Sequence, residues 1–253
     1  MSDNPGPEVA ESEEAARIRR VYEARDAGTD WLKYSVASPG ALFMAQQRTR
    51  AVVKLLVHEG YFPLTDARVL DVGCGSGSWL VELESWGAAR GNLAGIDLDA
   101  DRVARATERL PGADIRQGDG ELLPWPDGSF DLVLQSTVFT SILDDAMRMA
   151  IAREMTRVLA PGGAILWYDF FRDNPGNRDV RGVRSEEIRR LFPGMSVSLR
   201  RLTLAPPIAR RLAPRSWVAA ATLESLRVLS THYLGLIRRP RAGSADPVGG
   251  APR

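Results

Sequence analysis

Residue types that build metal sites and disulfides are scarce in this chain of 253 residues. It has one cysteine, Cys74, so no disulfide can form within the chain. With two histidines, His58 and His232, and one thiol, a zinc site is poorly supplied, and we predict no metal site. Lysine is limited to two positions and the formal net charge is +1. The chain therefore lacks the large positive charge that would indicate a nucleic-acid partner.

Long apolar segments are also absent from the sequence. No apolar run reaches the roughly 20 residues that a membrane-spanning helix needs. The stretch over residues 1–16 is acidic and lacks the apolar core of a signal peptide. We therefore expect a cytoplasmic protein without a membrane span. The sequence gives no indication of the oligomeric state.

Strand and helix patterns alternate along the middle of the chain. Short apolar strand patterns end near Gly73, Asp97, Asp119, Ser136 and Phe170, and amphipathic helix patterns lie between them. This alternation predicts βαβ units and a parallel sheet covered on both faces. Two later segments, residues 196–204 and 231–239, have the pattern of strands six and seven.

Composition changes divide the chain into regions. Residues 1–13 and 240–253 are rich in Pro, Gly and small residues, and we predict that both are disordered. Helical patterns over residues 14–65 predict an N-terminal helical lid, and residues 66–239 form the predicted α/β domain. Within that domain, residues 170–228 are predicted to hold insertions that shape an acceptor pocket.

The stretch LDVGCGSGSWL, Leu70–Leu80, places three glycines at alternate positions after a predicted strand. Glycines permit a tight turn and let a ligand approach the backbone at the carboxyl end of the strand. A pyrophosphate-binding loop reads G-x-G-x-x-G/A, but Ser78 occupies the last of these positions. Asp71 would also repel a pyrophosphate. A tight turn without a ligand is the structural alternative.

A zwitterionic ligand fits this loop better than a pyrophosphate does. S-adenosylmethionine (SAM) carries a sulfonium and an ammonium, which Asp71 would favour. Its carboxylate would accept hydrogen bonds from N–H groups of the loop and of the helix that follows. We therefore predict SAM as the cofactor and S-adenosylhomocysteine as its product.

Two further acids follow predicted strands. Asp97 ends the second strand, where a carboxylate accepts hydrogen bonds from a ribose diol. The alternative is a helix N-cap, a role that suits Asp99 or Asp101 better. Asp119 ends the third strand and is our candidate for the exocyclic amine of adenine, with a solvated turn acid as the alternative.

Four motifs, LDVGCGSGSWL, AGIDLD, GDGELLPWPDGSFDLVLQS and RVLAPGGAILWYDF, together resemble those of class I SAM-dependent methyltransferases. The resemblance covers about residues 66–170. It implies a Rossmann-like α/β fold with a doubly wound, seven-stranded, mostly parallel sheet of order 3-2-1-4-5-7-6, and an N-terminal helical lid. A weaker similarity points to methyltransferases of small-molecule, sugar, polysaccharide or natural-product biosynthesis.

The resemblance also implies roles for individual residues. Gly73 and Gln135 would offer backbone carbonyls to the amino group of the cofactor, and Asp119 and Gly120 would bind adenine. Tyr34 is the candidate for a lid contact, with a core aromatic as the alternative. The full predicted cofactor set is Tyr34, Asp71, Gly73, Cys74, Gly75, Gly77, Asp97, Leu98, Asp119, Gly120 and Gln135. Cys74 is included as a small residue that suits the turn, not as a catalytic thiol.

The fold alone does not identify the acceptor. Residues 135–139 read QSTVF, which lacks the Asn/Asp-Pro-Pro-aromatic tetrad of amino-directed nucleic-acid methylases. We therefore expect a small-molecule acceptor, methylated at a hydroxyl oxygen, and no nucleic acid. Methylation of carbon in a quinone-like or isoprenoid precursor is the second hypothesis. A non-catalytic module that binds SAM or NAD is the alternative from a different class.

Two side chains are candidate general bases for a hydroxyl acceptor. Asp169 ends the fifth predicted strand, and His232 begins the seventh and has a suitable ordinary pKa. Because strand seven lies beside strand five in the implied sheet, we expect both to face one pocket. The structural alternatives are a capped strand end for Asp169 and a buried, hydrogen-bonded histidine for His232.

Overall fold

The computed structural model describes residues 12–26, 35–174 and 176–239. The predictions for Tyr34, for residues 1–11 and for residues 240–253 lie outside the described residues.

In the described ranges, seven strands form one sheet of order β3-β2-β1-β4-β5-β7-β6. The strands are β1 (Val69–Val72), β2 (Leu93–Asp97), β3 (Asp114–Gln117), β4 (Phe130–Ser136), β5 (Leu159–Phe170), β6 (Ser196–Leu204) and β7 (Ser230–Arg238). Strands β1 to β5 pair in parallel, and β7 runs antiparallel to both of its neighbours. The predicted fold class is confirmed.

Helices cover both faces of this sheet. They are α1 (Glu13–Asp26), α2 (Pro39–His58), α3 (Ser78–Ser85), α4 (Ala100–Arg109), α5 (Asp145–Val158), α6 (Ser185–Leu191), α7 (Pro206–Leu212) and α8 (Trp217–Ser225). Short 3₁₀ turns lie at Arg90–Asn92 and Phe139–Ser141. No helix of the described residues has the length and apolar character to cross a membrane.

Each face of the sheet has its own apolar core, because successive side chains of a strand point to opposite faces. On one face, here called the α5 face, Val72, Val133 and Trp167 pack with side chains of α1 and α5. On the other, here called the α2 face, Leu134 and Leu166 pack with side chains of α2 and α3. A site residue can therefore be assigned to a face from its position in a strand.

The start of β5 differs from its prediction. The sequence Ala160-Pro161-Gly162-Gly163 predicts a turn that ends the preceding helix, but the structure begins β5 at Leu159. Phe130 pairs with Leu159 and the register then shifts before Leu132 pairs with Ala164. Gly162 has φ +82°, a conformation that glycine adopts without steric cost, so the strand accommodates the irregularity.

Candidate functional site

A cleft lies at the carboxyl ends of β1, β2 and β4 and beside the loop after β3, where open α/β sheets bind ligands. Its cavity has a volume of about 220 Å³. The predicted cofactor residues that line it are Gly73, Asp97, Leu98, Asp119 and Gly120. Residues outside the predicted cofactor set also line it, namely Ile18, Arg19, Tyr22, Val72, Ile96, Asp99, Arg102, Gly118, Ser136, Thr137, Val138, Ser141, Ile142, Met147 and Ile151.

The glycine loop has the left-handed backbone that its sequence predicts. Gly73, Gly75 and Gly77 have φ of +73°, +53° and +76°. A Cβ at position 73 would lie 2.5 Å from Cγ2 of Val138, whereas a Cβ at position 75 would meet no atom within 4 Å. Packing therefore requires glycine at position 73. At position 75 the positive φ favours glycine, and the absence of a side chain leaves space beside the backbone.

Several N–H groups of the loop are used within the protein. The N–H groups of Gly73 and Cys74 both donate to the carbonyl of Ile96, at 2.9 and 3.0 Å. The N–H of Gly77 donates to the carbonyl of Cys74 at 2.9 Å. These three groups are not available to bind a ligand carboxylate, which corrects that part of the sequence prediction.

Asp71 is a buried carboxyl group beneath this loop. The residue is 1% exposed, and neither carboxylate oxygen has a hydrogen-bond partner in the described part of the chain. Burial raises the pKa of Asp71 well above its ordinary value, and the charge of Asp97 adds to the increase, while Arg48 opposes it. An unpaired buried charge is unfavourable, so the site is suited to receive a cation. The ammonium of SAM fits this requirement.

Asp97 is held at the edge of the cleft by two backbone groups. Its Oδ2 accepts a hydrogen bond from the Gly75 N–H at 2.8 Å, and its Oδ1 accepts one from the Asp99 N–H at 3.0 Å. Each carboxylate oxygen has a further lone pair. The carboxylate is therefore fixed in place with capacity left for a ribose diol. Asp99 caps α4 by accepting from the Arg102 N–H, as its alternative role predicts.

We expect Asp97→Ala to weaken SAM binding by about 1.5–3 kcal/mol, the scale of hydrogen bonds to a charged group. Titration calorimetry on the folded variant measures the loss. Asp101→Ala is the matched control, since Asp101 is an exposed acid in the first turn of α4 outside the cavity lining. Equal SAM affinity in the Asp97 variant and the control would remove Asp97 from the site.

The loop after β3 forms the far end of the cleft. Asp119 Oδ1 accepts a hydrogen bond from the Glu121 N–H at 2.9 Å, which fixes the turn. Asp119 and Gly120 line the cavity with the apolar side chains of Leu98, Ile142 and Met147. Apolar walls with one carboxylate suit a flat heterocycle that carries an amine, so this end fits the adenine of SAM.

Helix α1 contributes Tyr22 to the cleft. The Tyr22 hydroxyl and the Ser141 hydroxyl form a hydrogen bond of 2.9 Å, and the Arg102 guanidinium lies 4.4 Å from the centre of the Tyr22 ring. The sequence predicts that α1 belongs to a helical lid, with Tyr34 as the residue that contacts the cofactor. Tyr22 is the aromatic residue within the predicted helix itself. This position is the feature of the sequence that identifies it as a candidate for the lid contact.

Five described members of the predicted cofactor set are absent from the cavity lining, namely Asp71, Cys74, Gly75, Gly77 and Gln135. The Cys74 side chain packs in the core of the α2 face, and a Cβ at position 95 would lie 2.9 Å from its sulfur. Burial raises the pKa of the Cys74 thiol, so it is a packing residue and a poor nucleophile. Gln135 is fully buried, and its Oε1 accepts a hydrogen bond from the Val138 N–H at 3.3 Å.

Asp169 and His232 do not face one pocket, which corrects the sequence prediction. The β5–β7 register pairs Phe170 with His232, so His232 lies on the face of Phe170 and Tyr168, and Asp169 lies on the opposite face. The His232 ring stacks on the Tyr168 ring with a centroid separation of 4.7 Å on the α2 face. Asp169 instead interacts electrostatically with Arg148 of α5.

Asp169 holds a turn beside the cleft. Its carboxylate accepts hydrogen bonds from the N–H groups of Phe170, at 2.8 Å, and Thr140, at 3.2 Å. Burial raises the pKa of Asp169 to about 7. The bond to Thr140 fixes the 3₁₀ turn Phe139–Ser141, which leads into Ile142 of the cavity. Asp169 is therefore placed to position the cleft wall.

The surroundings of His232 make it a weak base. Burial lowers the pKa of His232 to about 3, and the nearby charge of Arg48 lowers it further. The Nδ1 atom lies 3.0 Å from the Thr231 hydroxyl, within hydrogen-bond distance. The ring is therefore neutral at pH 7, so it has little tendency to accept a proton.

Arg48 of α2 brings a positive charge to the same face. Its guanidinium lies 4.3 Å from the centre of the Trp79 ring and pairs with Glu82 at 2.6 Å. It interacts electrostatically with Asp71 and His232. No cluster of His, Cys, Asp or Glu suited to a metal ion occurs among the described residues.

Part of the chain is similar in sequence to known proteins. Residues 69–163 match a family model described as a methyltransferase domain. An uncharacterized 37.1 kDa protein in transposon TN4556 of Streptomyces fradiae is 38% identical over 100 residues, which cover 38% of this chain and 28% of that protein. A demethylmenaquinone methyltransferase of Listeria welshimeri is 32% identical over 118 residues, 44% of this chain and 49% of that protein. The chain thus matches only between a quarter and a half of the length of these relatives.

The fold has solved counterparts. A SAM-dependent methyltransferase from Thermotoga maritima, described as a possible histamine N-methyltransferase, superposes with a TM-score of 0.58 at 17% identity and covers 88% of this chain and 98% of that chain. With the strand order, this shows that the chain has the class I methyltransferase fold. The domain match and the fold are thus both shared with proteins described as methyltransferases.

Proposed function

We propose that the protein is a SAM-dependent methyltransferase that acts on a small-molecule acceptor. The observation that carries the proposal is the unpartnered, buried carboxylate of Asp71 beneath the glycine loop. Asp97 and Asp119 line the cleft, where a ribose diol and an adenine amine would lie, and Asp71 stands in β1 just before the glycine loop, where the ammonium would lie. When bound, SAM supplies a methyl group made electrophilic by the sulfonium.

The protein contributes to the reaction mainly by holding the cofactor and the acceptor in position. The three acids and Tyr22 would hold the cofactor in one orientation, and Asp169 would keep the turn over the cleft in place. When two reactants are held in the correct orientation, they react as if one were present at an effective concentration on the order of 10⁵–10⁸ M. Methyl transfer therefore does not require a strong general base when the acceptor releases its proton readily.

A small or medium acceptor with a hydroxyl oxygen is the first candidate substrate. The rings of Tyr168, Phe170 and His232 pack together at the carboxyl end of β5, with 4.7 Å between the centroids of Tyr168 and His232 and 3.8 Å between those of Phe170 and His232. Tyr168 and His232 are buried and Phe170 is partly exposed, so Phe170 is the ring of this group that offers surface to an acceptor. The assignment to a natural-product or sugar pathway rests on the weaker sequence similarity alone.

Carbon methylation of a quinone-like precursor is the second candidate. Two observations favour it: the similarity to a demethylmenaquinone methyltransferase over 118 residues, and the pKa of about 3 that leaves His232 a weak base. A carbon nucleophile of a reduced quinone is already electron-rich. Its methylation depends less on a positioned base than methylation of an alkyl hydroxyl does.

An acceptor screen tests the proposed function. The protein is incubated with SAM labelled in its methyl group and with separate panels of phenols, sugars and reduced quinones, and mass spectrometry and NMR locate the label on oxygen or carbon. A thermal-shift screen with SAM, S-adenosylhomocysteine and NAD precedes it, since a ligand that binds the folded state raises the melting temperature. Stabilisation by NAD but not by SAM would contradict the proposal and support the nucleotide-binding alternative. A cytoplasmic location remains part of this proposal.

The role of His232 is tested by two substitutions. His232→Ala would lower turnover by about 10²–10⁴-fold if the imidazole were a general base. Because its pKa is about 3 and its ring is stacked, we expect His232→Phe to keep turnover within about threefold and His232→Ala to lower thermal stability. Steady-state turnover on the acceptor from the screen decides between these outcomes. A large loss in the Phe variant would restore the catalytic role.

A further inference from the structure

The connection between β6 and β7 is much longer than the fold requires. Adjacent antiparallel strands can be joined by a two-residue turn, but residues 205–229 separate these two strands and contain α7 and α8. Leu204 pairs with Ser230, and His232 pairs with Phe170 at the carboxyl end of β5. The connection therefore lies at the edge of the sheet that carries the cofactor cleft.

Among the residues that the structure describes, only the inner side of this connection is covered. Trp217 packs edge-to-face on Phe43 of α2 with ring centroids 5.2 Å apart, and Ala209 and Ala220 are buried. The outer side exposes a group of large apolar side chains, here called the α8 surface. It consists of Trp217, Val218, Leu226, Val228 and Leu229, exposed by 36%, 76%, 62%, 67% and 38%.

The helix itself arranges part of this surface. Val218, Thr222 and Leu226 are spaced by four residues, which places them on one face at and just beyond the end of α8. All three are exposed. Contiguous exposed apolar side chains are unfavourable in water and mark an interaction site when they lie together.

Positive charge surrounds the α8 surface. Residues 196–239 contain eight arginines and one acid, Glu224. Glu224 is 8% exposed, so the segment presents no exposed carboxylate. Arg211 and Arg215 precede α8 and Arg227 follows it, and all three are exposed.

We propose that the α8 surface docks on an anionic lipid membrane. Apolar side chains with a tryptophan would enter the boundary between headgroups and acyl chains, and arginines beside them would contact anionic headgroups. A second copy of the chain is a less suitable partner, because its own arginines would face these across the contact. The proposal does not rest on the proposed methyl transfer, although the surface lies at the edge where an acceptor would enter.

Co-sedimentation with vesicles tests the proposal. The full-length protein is mixed with phosphatidylcholine vesicles with or without phosphatidylglycerol, at low and high salt. We expect binding to the vesicles that contain phosphatidylglycerol, and weaker binding at high salt, because salt screens the arginines. Val218→Glu with Leu226→Glu should reduce the bound fraction by about tenfold or more, since two carboxylates would have to approach anionic headgroups. Arg211→Gln, Arg215→Gln and Arg227→Gln together should reduce it as well.

The matched control carries the same chemical change elsewhere. Val57 and Met149 are exposed by 56% and 51% and lie on α2 and α5, so Val57→Glu with Met149→Glu should keep wild-type binding. Thermal melting and SAM affinity check that each variant is folded, and neither depends on methyl transfer. Three results would overturn the proposal: no binding of the wild type, equal loss in the control, or a dimer in solution that only the Val218 and Leu226 variant disrupts.

Discussion

Gly75→Val is expected to abolish measurable SAM binding while most of the sheet stays folded. The position has φ +53°, which a β-branched residue adopts only with strain. A Cβ there meets no atom of the described residues within 4 Å, so a new side chain would project into the space beside the Asp97 carboxylate, which accepts a hydrogen bond from the Gly75 N–H. We propose that the cofactor occupies this space. Calorimetry with SAM and circular dichroism measure binding and folding separately.

Gly194→Val separates backbone strain from occupation of the ligand space. Gly194 has φ +73° and likewise no atom of the described residues within 4 Å of a built Cβ, but unlike Gly75 it does not donate a hydrogen bond to Asp97 of the cleft. Both variants should lose about 1–3 kcal/mol of stability. Only the variant at position 75 should lose SAM affinity, and we expect that loss to exceed 100-fold. Each tenfold loss of affinity corresponds to about 1.4 kcal/mol of binding free energy. SAM affinity retained at position 75 would show that the loop does not contact the cofactor.

Asp71→Asn is expected to weaken SAM binding and stabilise the free protein at the same time. The carboxylate is buried without a partner, so its charge destabilises the folded protein in the absence of a cation. Removing that charge should raise the free energy of unfolding at neutral pH by about 1 kcal/mol or more. It should also leave the ammonium of SAM without a counter-charge, at a cost of about 3–5 kcal/mol in binding. Chemical denaturation and calorimetry measure the two effects.

The pH dependence gives a second test of Asp71. Its folded-state pKa is raised, so between the unfolded value near 3.8 and the folded value the folded protein binds more protons than the unfolded chain. The contribution of Asp71 to stability is therefore most favourable below that range and is lost as the pH rises through the folded pKa. The stability difference between Asp71→Asn and wild type should be smallest in acid and grow as the pH rises.

Glu224→Gln is the matched control for Asp71. Glu224 is also buried, has an oxygen without a partner in the described residues, and has a pKa that burial raises. It lies on α8 and not in the strand that leads into the glycine loop, so its substitution should change stability in the same direction and leave SAM affinity unchanged. A parallel loss of SAM affinity in both variants would mean that the effect of Asp71 is indirect.

The sequence by itself determined the sheet and the place of three predicted cofactor residues at its edge, because both depend on local patterns. Strand β4 runs over Phe130–Ser136 and β6 over Ser196–Leu204, as the apolar patterns predict. Gly73, Asp97 and Asp119 follow consecutive parallel strands, whose carboxyl ends meet at one edge. Their proximity in the cleft thus required only the strand order that the motifs imply.

The tertiary structure decided which of the remaining candidate site residues lie close together. Asp169 and His232 end or begin neighbouring strands, yet the register pairs His232 with Phe170 and places the two side chains on opposite faces. A shift of one residue would have reversed this, since side chains alternate with a period of two, and no local pattern fixes the register between two strands so far apart in sequence. The same holds for Tyr22, which reaches Ser141 only because α1 packs on the α5 face. The pKa values of Asp169 and His232 depend on burial by distant segments, which only the folded chain brings together.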